Sequence, residues 1–298
     1  MKNNIKISIL ILIVLVLSFT LAGCQKINEQ QELINKSVEE LDYLEFAISS
    51  MLNAINNIPM QNYEISLKEV SLDSNENGQQ ESSSSGSSSG NSGESQQSGE
   101  SSSSGGQNQS EKITVTEMLP SNILNRSKKT NWDTIKQDIE DLYEPWNTII
   151  LDLYKLNVNN EQILNFTTQL DNATKAITEE NKSNALISLS NMYAYIPVFL
   201  EYFSNDIALK NIKYTKSYIF NAYSIVENDD WDEVKTQVLK AEQTLTAVIN
   251  NIEFANQNEY NINKTYIVFK ELQNSLERED VELFYIKYKN FMEEINIL

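Results

Sequence analysis

The sequence predicts an all-α protein: an antiparallel helical bundle, or stacked helical hairpins, of about seven to eight helices with a long disordered Ser/Gly-rich excursion. Two observations support this class. Apolar residues recur at alternating steps of three and four along most of the chain, as they do on one face of an α-helix. Seven of the eight glycines fall in one stretch, 74–110, which has no apolar side chain and therefore cannot join a core.

The helical pattern is most regular from Trp132 to Leu156, where apolar residues recur without a miss. The same alternation predicts helices over 186–203, 231–252 and 281–298, and weaker versions cover 160–179, 206–227 and 260–277. The break near Ser204 is the weakest of these boundaries, so one continuous helix over 183–227 is an alternative.

The helix boundaries are predicted from residues that cap or break helices. The predicted N-caps, whose side chains can accept the free N–H groups of a first turn, are Asn131, Asn160, Ser183, Asp206, Asp230 and Asp280. Because the helical part has no glycine, asparagine is expected to take its place at helix C-termini. Pro145 and Pro197 lie inside helical patterns and should bend or interrupt them.

An amphipathic helix is also predicted before the glycine-rich stretch, over 30–58, where Pro59 ends the pattern. Its apolar stripe would be exposed if it stood alone, so we expect it to pack on the helices beyond residue 111. The Ser/Gly-rich stretch is then an excursion within one fold. Alternating apolar residues on either side of the excursion, over 63–67 and 113–115, are compatible with a short paired strand.

A six-residue pattern occurs twice in the helical part, as NWDTIK at 131–136 and DWDEVK at 230–235. Each copy opens a long helical pattern. Two interpretations stay open: a duplicated helical unit, or two tryptophans that serve independently as core anchors after a polar cap.

The N-terminus has the profile of a secretory signal. Lys2 and Lys6 precede a sixteen-residue run, Ile7 to Ala22, that only two serines and a threonine interrupt. At the end of this run LAGC, residues 21–24, resembles the lipobox of bacterial lipoproteins at all four positions. The helical part resembles in style the uncharacterised all-helical lipoproteins of low-GC Gram-positive bacteria, a resemblance that implies no functional residue. The lipobox resemblance implies cleavage after Gly23 and a diacylglyceryl group, such as palmitate chains, on Cys24. A plain signal peptide or an uncleaved anchor are the alternatives.

These features divide the chain into four predicted segments: a lipoprotein signal peptide at 1–23, a lipidated N-terminus with its amphipathic helix at 24–73, a disordered Ser/Gly/Gln linker at 74–111, and a helical bundle domain at 112–298.

The full chain has a net charge of −19, and removal of the two signal lysines lowers it to −21. Such a surface repels phosphate, which disfavours nucleic acid and anionic headgroups as electrostatic partners. Cations and basic proteins fit better.

Most catalytic chemistry is excluded by composition. The chain has no histidine, and its helical part has no glycine, so histidine catalysis, histidine-ligated zinc, phosphate loops and nucleophile elbows are all absent. The densest carboxylate group, Asp138, Glu140, Asp141 and Glu144, is interpreted as a solvated helix face. We therefore predict no cofactor, no metal site and no enzyme activity, although carboxylate or tyrosine chemistry is not excluded.

The predicted function is a membrane-anchored, extracytoplasmic helical lipoprotein that acts as a protein-interaction module at the outer face of the cell membrane. A small-ligand or cation-binding lipoprotein is the alternative. The candidate binding face, for a protein or a cell-wall ligand, lies in an aromatic-rich segment with recurring lysines: Tyr195, Tyr202, Lys210, Lys213, Tyr214 and Lys216. This hypothesis requires at least three rings and two lysines of the segment to be exposed on one surface.

Overall fold

The computed structural model describes residues 2–60, 124 and 128–298, with side chains described from residue 29 onward. All regular structure in these residues is helical, which confirms the predicted all-α class. The helices are α1 (Lys2–Ile55), α2 (Trp132–Asp141), α3 (Tyr143–Lys155), α4 (Asn160–Thr178), α5 (Lys182–Tyr193), α6 (Tyr195–Phe203), α7 (Ile207–Ile225), α8 (Trp231–Ile249), α9 (Ile252–Gln257), α10 (Glu259–Ser275) and α11 (Val281–Ile295).

Two helix breaks lie close to Pro145 and Pro197, the prolines predicted to bend or interrupt helices. Non-helical turns at Leu142 and Ala194 separate α2 from α3 and α5 from α6, and each turn precedes a proline by three residues. Pro145 and Pro197 have no N–H to donate to the preceding turn, so the ladder opens there. With each interrupted pair counted once, and α9 joined to α10, the described residues contain eight helices. The alternative of one helix over 183–227 is wrong, because Ser204–Asp206 also separates α6 from α7.

The capping predictions are confirmed at four positions. Side chains of Asn131, Asp206, Asp230 and Asp280 accept N–H groups of the first turns of α2, α7, α8 and α11. The predicted caps of α4 and α5 are wrong by one and two residues, since Asn159 and Asn181 accept those bonds instead. Backbone with positive φ occurs at Asn57 and Asn157, as expected of asparagine, but also at Glu180, Asp229 and Glu279.

Helix directions follow from contacts between neighbours. Lys36 on α1 contacts Asp152 near the end of α3, whereas Ile55 contacts Thr130 just before α2, so α1 is antiparallel to α2 and α3. The remaining pairs are likewise assigned from contacts that include Lys136–Glu180, Ser190–Asn221, Lys213–Asp42, Thr215–Thr244, Lys235–Glu279, Lys287–Glu271 and Tyr288–Asn53. The result is an up-and-down bundle with two ends.

We name the two ends after Lys36 on α1 and after Pro59, which follows the C-terminal end of α1. The Lys36 end carries the α3–α4 connection at Leu156–Asn159, the α6–α7 connection at Ser204–Asp206 and the α8–α10 connection at Asn250–Asn258. The Pro59 end carries the α4–α5 connection at Glu179–Asn181, the α7–α8 connection at Val226–Asp230 and the α10–α11 connection at Leu276–Asp280. The C-terminal end of α1 and the N-terminal end of α2 also lie there.

The apolar stripe of α1 is part of the central core. Leu44, Ile48 and Leu52 are fully buried, and the stripe continues through Ile55 and Ile58 into one cluster with residues of the later helices. The expectation that this helix packs on the helices beyond residue 111 is thus met. Trp146 anchors the same core, with its ring centroid 4.1 Å from that of Phe166 and its Nε1–H donated to Thr167 Oγ1 at 3.0 Å.

The two sides of the excursion meet at the Pro59 end. Asn57 donates its side-chain N–H to the Lys128 carbonyl at 2.9 Å, and Thr130 donates its hydroxyl to the Ile55 carbonyl at 2.8 Å. The chain thus leaves and re-enters the bundle at one place. The linker at 74–111, the boundaries at 73 and 112 and the strand residues 63–67 and 113–115 lie outside the described residues.

Structural features recur at a constant spacing of 99 residues. Asn131 and Asp230 cap the helices that begin with Trp132 and Trp231. Lys136 pairs with Glu180 at 2.7 Å, and Lys235 pairs with Glu279 at 2.8 Å. Both glutamates have positive φ and precede the caps of α5 and α11. The order α2–α3, α4, α5–α6 thus recurs as α8, α9–α10, α11, which favours the duplicated unit over independent tryptophan anchors.

The two ends differ in polarity. Of the twelve large apolar side chains that are exposed in the described residues, seven lie within five residues of a connection at the Lys36 end, and none lies that close to a connection at the Pro59 end. The seven are Leu151, Tyr154, Leu164, Tyr202, Ile207, Ile252 and Tyr260. The three connections named above at the Pro59 end contain eight carboxylate side chains and one arginine.

Candidate functional site

The structure places the predicted recognition segment largely in the interior. Lys213 and Lys216 are only 7% and 5% exposed, and both point toward α1. Lys210 is half-buried and pairs with Glu201 at 2.8 Å. The exposed basic face predicted for these lysines is therefore wrong, because their charges are neutralised by carboxylates of neighbouring helices.

The rings of the segment are no more accessible. Tyr202, at 42% exposure, is the one clearly exposed ring between residues 193 and 223. Tyr195 is half-buried against Phe166 and Phe199, and Tyr214 is half-buried and stacks on Tyr218 with ring centroids 6.4 Å apart. The requirement of three exposed rings and two exposed lysines is not met.

The two lysines belong to a charge cluster, which we define as Asp42 and Glu45 on α1 with Lys213 and Lys216 on α7. The two lysines are buried, Glu45 is largely buried and Asp42 is partly exposed. Lys213 Nζ lies 2.5 Å from Asp42 Oδ1 and 2.7 Å from Glu45 Oε2, and Lys216 Nζ lies 2.7 Å from Glu45 Oε1. Two positive charges thus face two negative charges. Breaking such a buried group costs far more than breaking a surface pair, so the cluster fixes α1 against α7.

The pKa shifts show how strongly these groups depend on each other. Burial alone would raise the pKa of Glu45, but the two lysine charges lower it to about 2. Burial opposes the charge of Lys213 as well, and Glu45 with Asp42 raises its pKa above the usual value. The pKa of Lys216 is lowered, because the effect of burial exceeds the attraction of Glu45.

Tyr193 is fully buried beside this cluster. Burial, followed by the negative charge of Glu45, raises its pKa well above the ordinary value, so the phenol stays neutral. A deprotonated tyrosine is what phenolate chemistry would need. Because Tyr193 stays neutral, its role is packing: its ring centroid lies 4.6 Å from that of Phe220.

A second polar network joins α1 to α7 and α11 at the Pro59 end. Asn56 donates to the hydroxyls of Tyr223 and Tyr285 at 2.8 and 3.1 Å, and Tyr288 donates to Asn53 Oδ1 at 2.9 Å. Tyr285 in turn donates to Glu227 Oε1 at 2.8 Å. Sequence reasoning missed this network, because asparagines on an otherwise apolar stripe give no sign of partners more than 150 residues away.

The acidic residues of α2 and α3 behave as predicted. Asp138, Glu140, Asp141 and Glu144 are all exposed, which confirms their interpretation as a solvated helix face. Within the described residues no group of three or more acidic or cysteine side chains is arranged to hold a metal ion. Cys24 is a residue of α1, but its side chain is outside the part of the chain whose side chains are described.

Clefts on the bundle do not converge on reactive groups. A groove of about 370 Å³ between α1 and α11 is lined by apolar and amide or hydroxyl side chains, among them Phe46, Asn53 and Met292. A cleft at the α6–α7 connection contains Asp206 and Glu253, but both are exposed, and Asp206 caps α7. A further cleft at the α3–α4 connection is lined by Tyr154, Lys155 and amide side chains.

Comparisons with known proteins give no assignment: no family model, no curated protein and no solved structure matches this chain. Among the residues whose side chains the structure describes, no helix carries an apolar stretch long enough to cross a membrane.

Proposed function

We propose that this chain is a lipid-anchored helical module, not an enzyme, that binds another protein at the outer face of the cell membrane. The observation that carries the proposal is LAGC at 21–24, directly after two lysines and a long apolar run. Two acyl chains on Cys24 would anchor the protein stably, because each buried methylene adds about 0.8 kcal/mol of membrane affinity.

The buried polar groups support a module rather than a catalyst. Lysine, carboxylate and tyrosine are the reactive side chains left to this sequence. Inside the bundle they are engaged with each other, in the charge cluster around Glu45 and in the tyrosine network around Asn56. Groups held in this way stabilise helix packing, whereas a catalytic group must reach a substrate.

The Pro59 end supports a partner with a basic surface. Its connections carry Glu179 and Glu180, then Glu227, Asp229 and Asp230, then Glu277, Glu279 and Asp280, with Arg278 as the single basic residue within the three connections. Lys128 and Lys129, just before α2, are exposed at the same end. Lysines of adjacent helices pair with three of these carboxylates. The excess negative charge would speed encounter with a positively charged protein and repel acidic ones.

The anchor is tested with Cys24→Ala in the full-length chain. We expect the variant to leave the membrane fraction or to accumulate unprocessed, and to lose labelling by a palmitate analogue. The control is Ser18→Ala, which keeps all four lipobox residues and should stay labelled. A membrane-bound wild type whose Cys24 takes no label would refute the lipoprotein assignment.

The partner surface is tested by photo-crosslinking in intact cells, with the crosslinker placed at Glu277 or, as control, at Leu239 in the middle of the bundle. We expect a discrete protein adduct at Glu277 that weakens when Glu179 and Asp229 are replaced by lysine, and that weakens with added salt. Adducts of equal yield at both positions, or adducts unaffected by charge reversal, would contradict the proposal.

The second candidate function is binding of a small apolar ligand in the groove between α1 and α11. The groove has the size of known ligand sites and has Phe46, Met60 and Met292 in its walls. Ligand binding there should be lost in Met292→Glu and kept in Leu239→Glu. Equal uptake of a lipophilic fluorescent probe by both variants would dismiss this candidate.

A further inference from the structure

The exposed apolar side chains of the bundle are concentrated where the N-terminal segment enters it. Leu33 and Ile34 of α1 are half-buried, and Lys36 pairs with Asp152 of α3 at 2.6 Å. At the same end of the bundle lie exposed apolar residues on the α3–α4 hairpin, the α6–α7 connection, α9 and the start of α10. Leu164 is 65% exposed, Ile252 76% and Tyr260 77%.

Such side chains are costly to leave in water. A scattered exposed leucine is ordinary, but seven large apolar residues at one end and none at the other is an uneven distribution. The helices themselves do not require it, because the corresponding connections at the Pro59 end are built from charged and capping residues. Something other than folding therefore accounts for the apolar character of the Lys36 end.

The chain itself indicates what lies opposite this end. Ten residue steps separate Cys24 from Ile34 along α1, whose backbone is helical throughout that interval. At 1.5 Å per residue this is about 15 Å, and even a fully extended chain would span only about 35 Å. The lipid headgroup region is itself about 5 to 8 Å thick on each side of the hydrocarbon core.

We propose that the Lys36 end is a membrane-contact surface: its leucine, isoleucine and tyrosine side chains enter the lipid headgroup region beneath which the acyl chains of Cys24 are embedded. This inference rests on the lipid anchor proposed above. The bundle then stands on the membrane on this end, and the acidic Pro59 end, with the base of the excursion, points away from it.

The contact is apolar rather than electrostatic. Carboxylates such as Glu161, Asp206 and Glu253 are exposed at the same end, so anionic headgroups would be repelled. Tyrosine and aliphatic side chains instead suit the boundary between headgroups and acyl chains, where an apolar body and a polar tip are both accommodated. The expected surface is a zwitterionic or neutral lipid interface.

The test uses the full-length, acylated protein reconstituted in phosphatidylcholine vesicles. Because Cys24 is the only cysteine and is blocked by the thioether, a fluorophore can be attached at Asn160→Cys or Asn205→Cys at the Lys36 end, or at Glu179→Cys at the Pro59 end. These three positions are exposed. Headgroup-labelled nitroxide lipid should quench the first two fluorophores and leave the third unchanged.

A matched pair of triple variants checks that the apolar side chains are responsible. Leu164→Ser, Ile252→Ser and Tyr260→Ser together should abolish the quenching at Asn205→Cys. The control variant combines Leu239→Ser, Ile267→Ser and Ile297→Ser, which remove three exposed apolar residues that lie away from the connections of the Lys36 end. This control should keep the quenching at Asn205→Cys. Both variants should float with vesicles, because the acyl chains are untouched.

Each remaining outcome overturns the inference. Acylated, vesicle-bound protein with no quenching at either Lys36-end position would refute membrane contact and leave the anchor standing. Fluorophores that are shielded without lipid quenching would assign this end to a second copy or another protein. Quenching that requires phosphatidylglycerol would show a charge-driven contact. Absence of acylation by mass spectrometry would remove the anchor and this inference together.

Discussion

The charge cluster of Asp42, Glu45, Lys213 and Lys216 allows a quantitative prediction for Glu45→Gln. The substitution keeps the shape of the side chain and removes the charge that lies 2.7 Å from both lysines. In the folded protein the pKa of Glu45 falls from its ordinary 4.5 to about 2. At about 1.4 kcal/mol per pKa unit, ionised Glu45 contributes on the order of 3 kcal/mol to the free energy of unfolding.

The cost of leaving Lys216 buried without its partner gives a similar loss in the free energy of unfolding. Lys216 would stay buried without its carboxylate partner at 2.7 Å, and breaking a buried ion pair from one side costs about 3 to 5 kcal/mol. We therefore expect Glu45→Gln to lower the free energy of unfolding at pH 7 by about 3 kcal/mol. The control Glu140→Gln removes a charge from an exposed helix face and should change it by less than about 0.5 kcal/mol.

The pH dependence separates this mechanism from a simple packing defect. Because the pKa of Glu45 is lower in the folded than in the unfolded chain, its stabilisation is complete above pH 4.5 and is lost as the pH falls toward 2. The difference between wild type and Glu45→Gln should shrink over that interval.

Urea unfolding of the detergent-solubilised full-length chain, followed by far-UV circular dichroism, measures both quantities. A difference below about 1 kcal/mol at pH 7, or one that is independent of pH, would refute the assigned role of the cluster. As a further check, Glu45→Met combined with Lys213→Met and Lys216→Met should recover much of the lost stability, since apolar residues of similar volume can replace a buried ion cluster.

Three further predictions concern the rest of the bundle. Asp229→Gly should raise Tm by about 2 to 4 °C, because Asp229 has φ of 57° and glycine relieves roughly 1 kcal/mol of strain, whereas Asp229→Ala should not raise it. Trp146→Ala should cost about 3 to 5 kcal/mol in urea unfolding, while Leu151→Ala on the exposed face of the same helix should cost little; similar losses would contradict the core assignment. Deleting residues 74–110 should leave the urea midpoint nearly unchanged, since that stretch has no apolar side chain, and a drop comparable to that of Trp146→Ala would show that it takes part in the fold.

Local patterns predicted the helices and most of their ends. The three-and-four alternation of apolar residues depends only on helix geometry, and prolines act on the turn directly before them, so both Pro145 and Pro197 could be interpreted correctly without knowledge of the fold. The caps of α4 and α5 were missed by one or two residues, because neighbouring asparagine and serine side chains in the sequence offer several equivalent acceptors. In the structure the accepting side chains are those of Asn159 and Asn181.

Long-range partners could not be predicted. Lys213 and Lys216 recur with tyrosines on a sequence that is otherwise acidic, which indicated an exposed basic ridge. In the structure their partners, Asp42 and Glu45, come from a helix 171 residues earlier. Helical periodicity reports which residues share a face but says nothing about what covers that face, and charged residues on a buried face therefore give the wrong signal. The difference in polarity between the two ends was missed for the same reason, since it appears only when the connections are sorted by end.

The polar network around α1 also has a consequence for how the chain is made. Asn53 and its partner Tyr288 are separated by 235 residues, and the ribosome synthesises Asn53 first. At about 5 to 20 residues per second the newly made α1 waits on the order of 10 to 50 seconds before its last partner exists. During that interval its apolar stripe has no native neighbour in α11, and every nascent chain carries it in that state. The first helix to be synthesised is thus among the last to be completed, and a factor that shields residues 34–58 from water would raise the yield of folded protein.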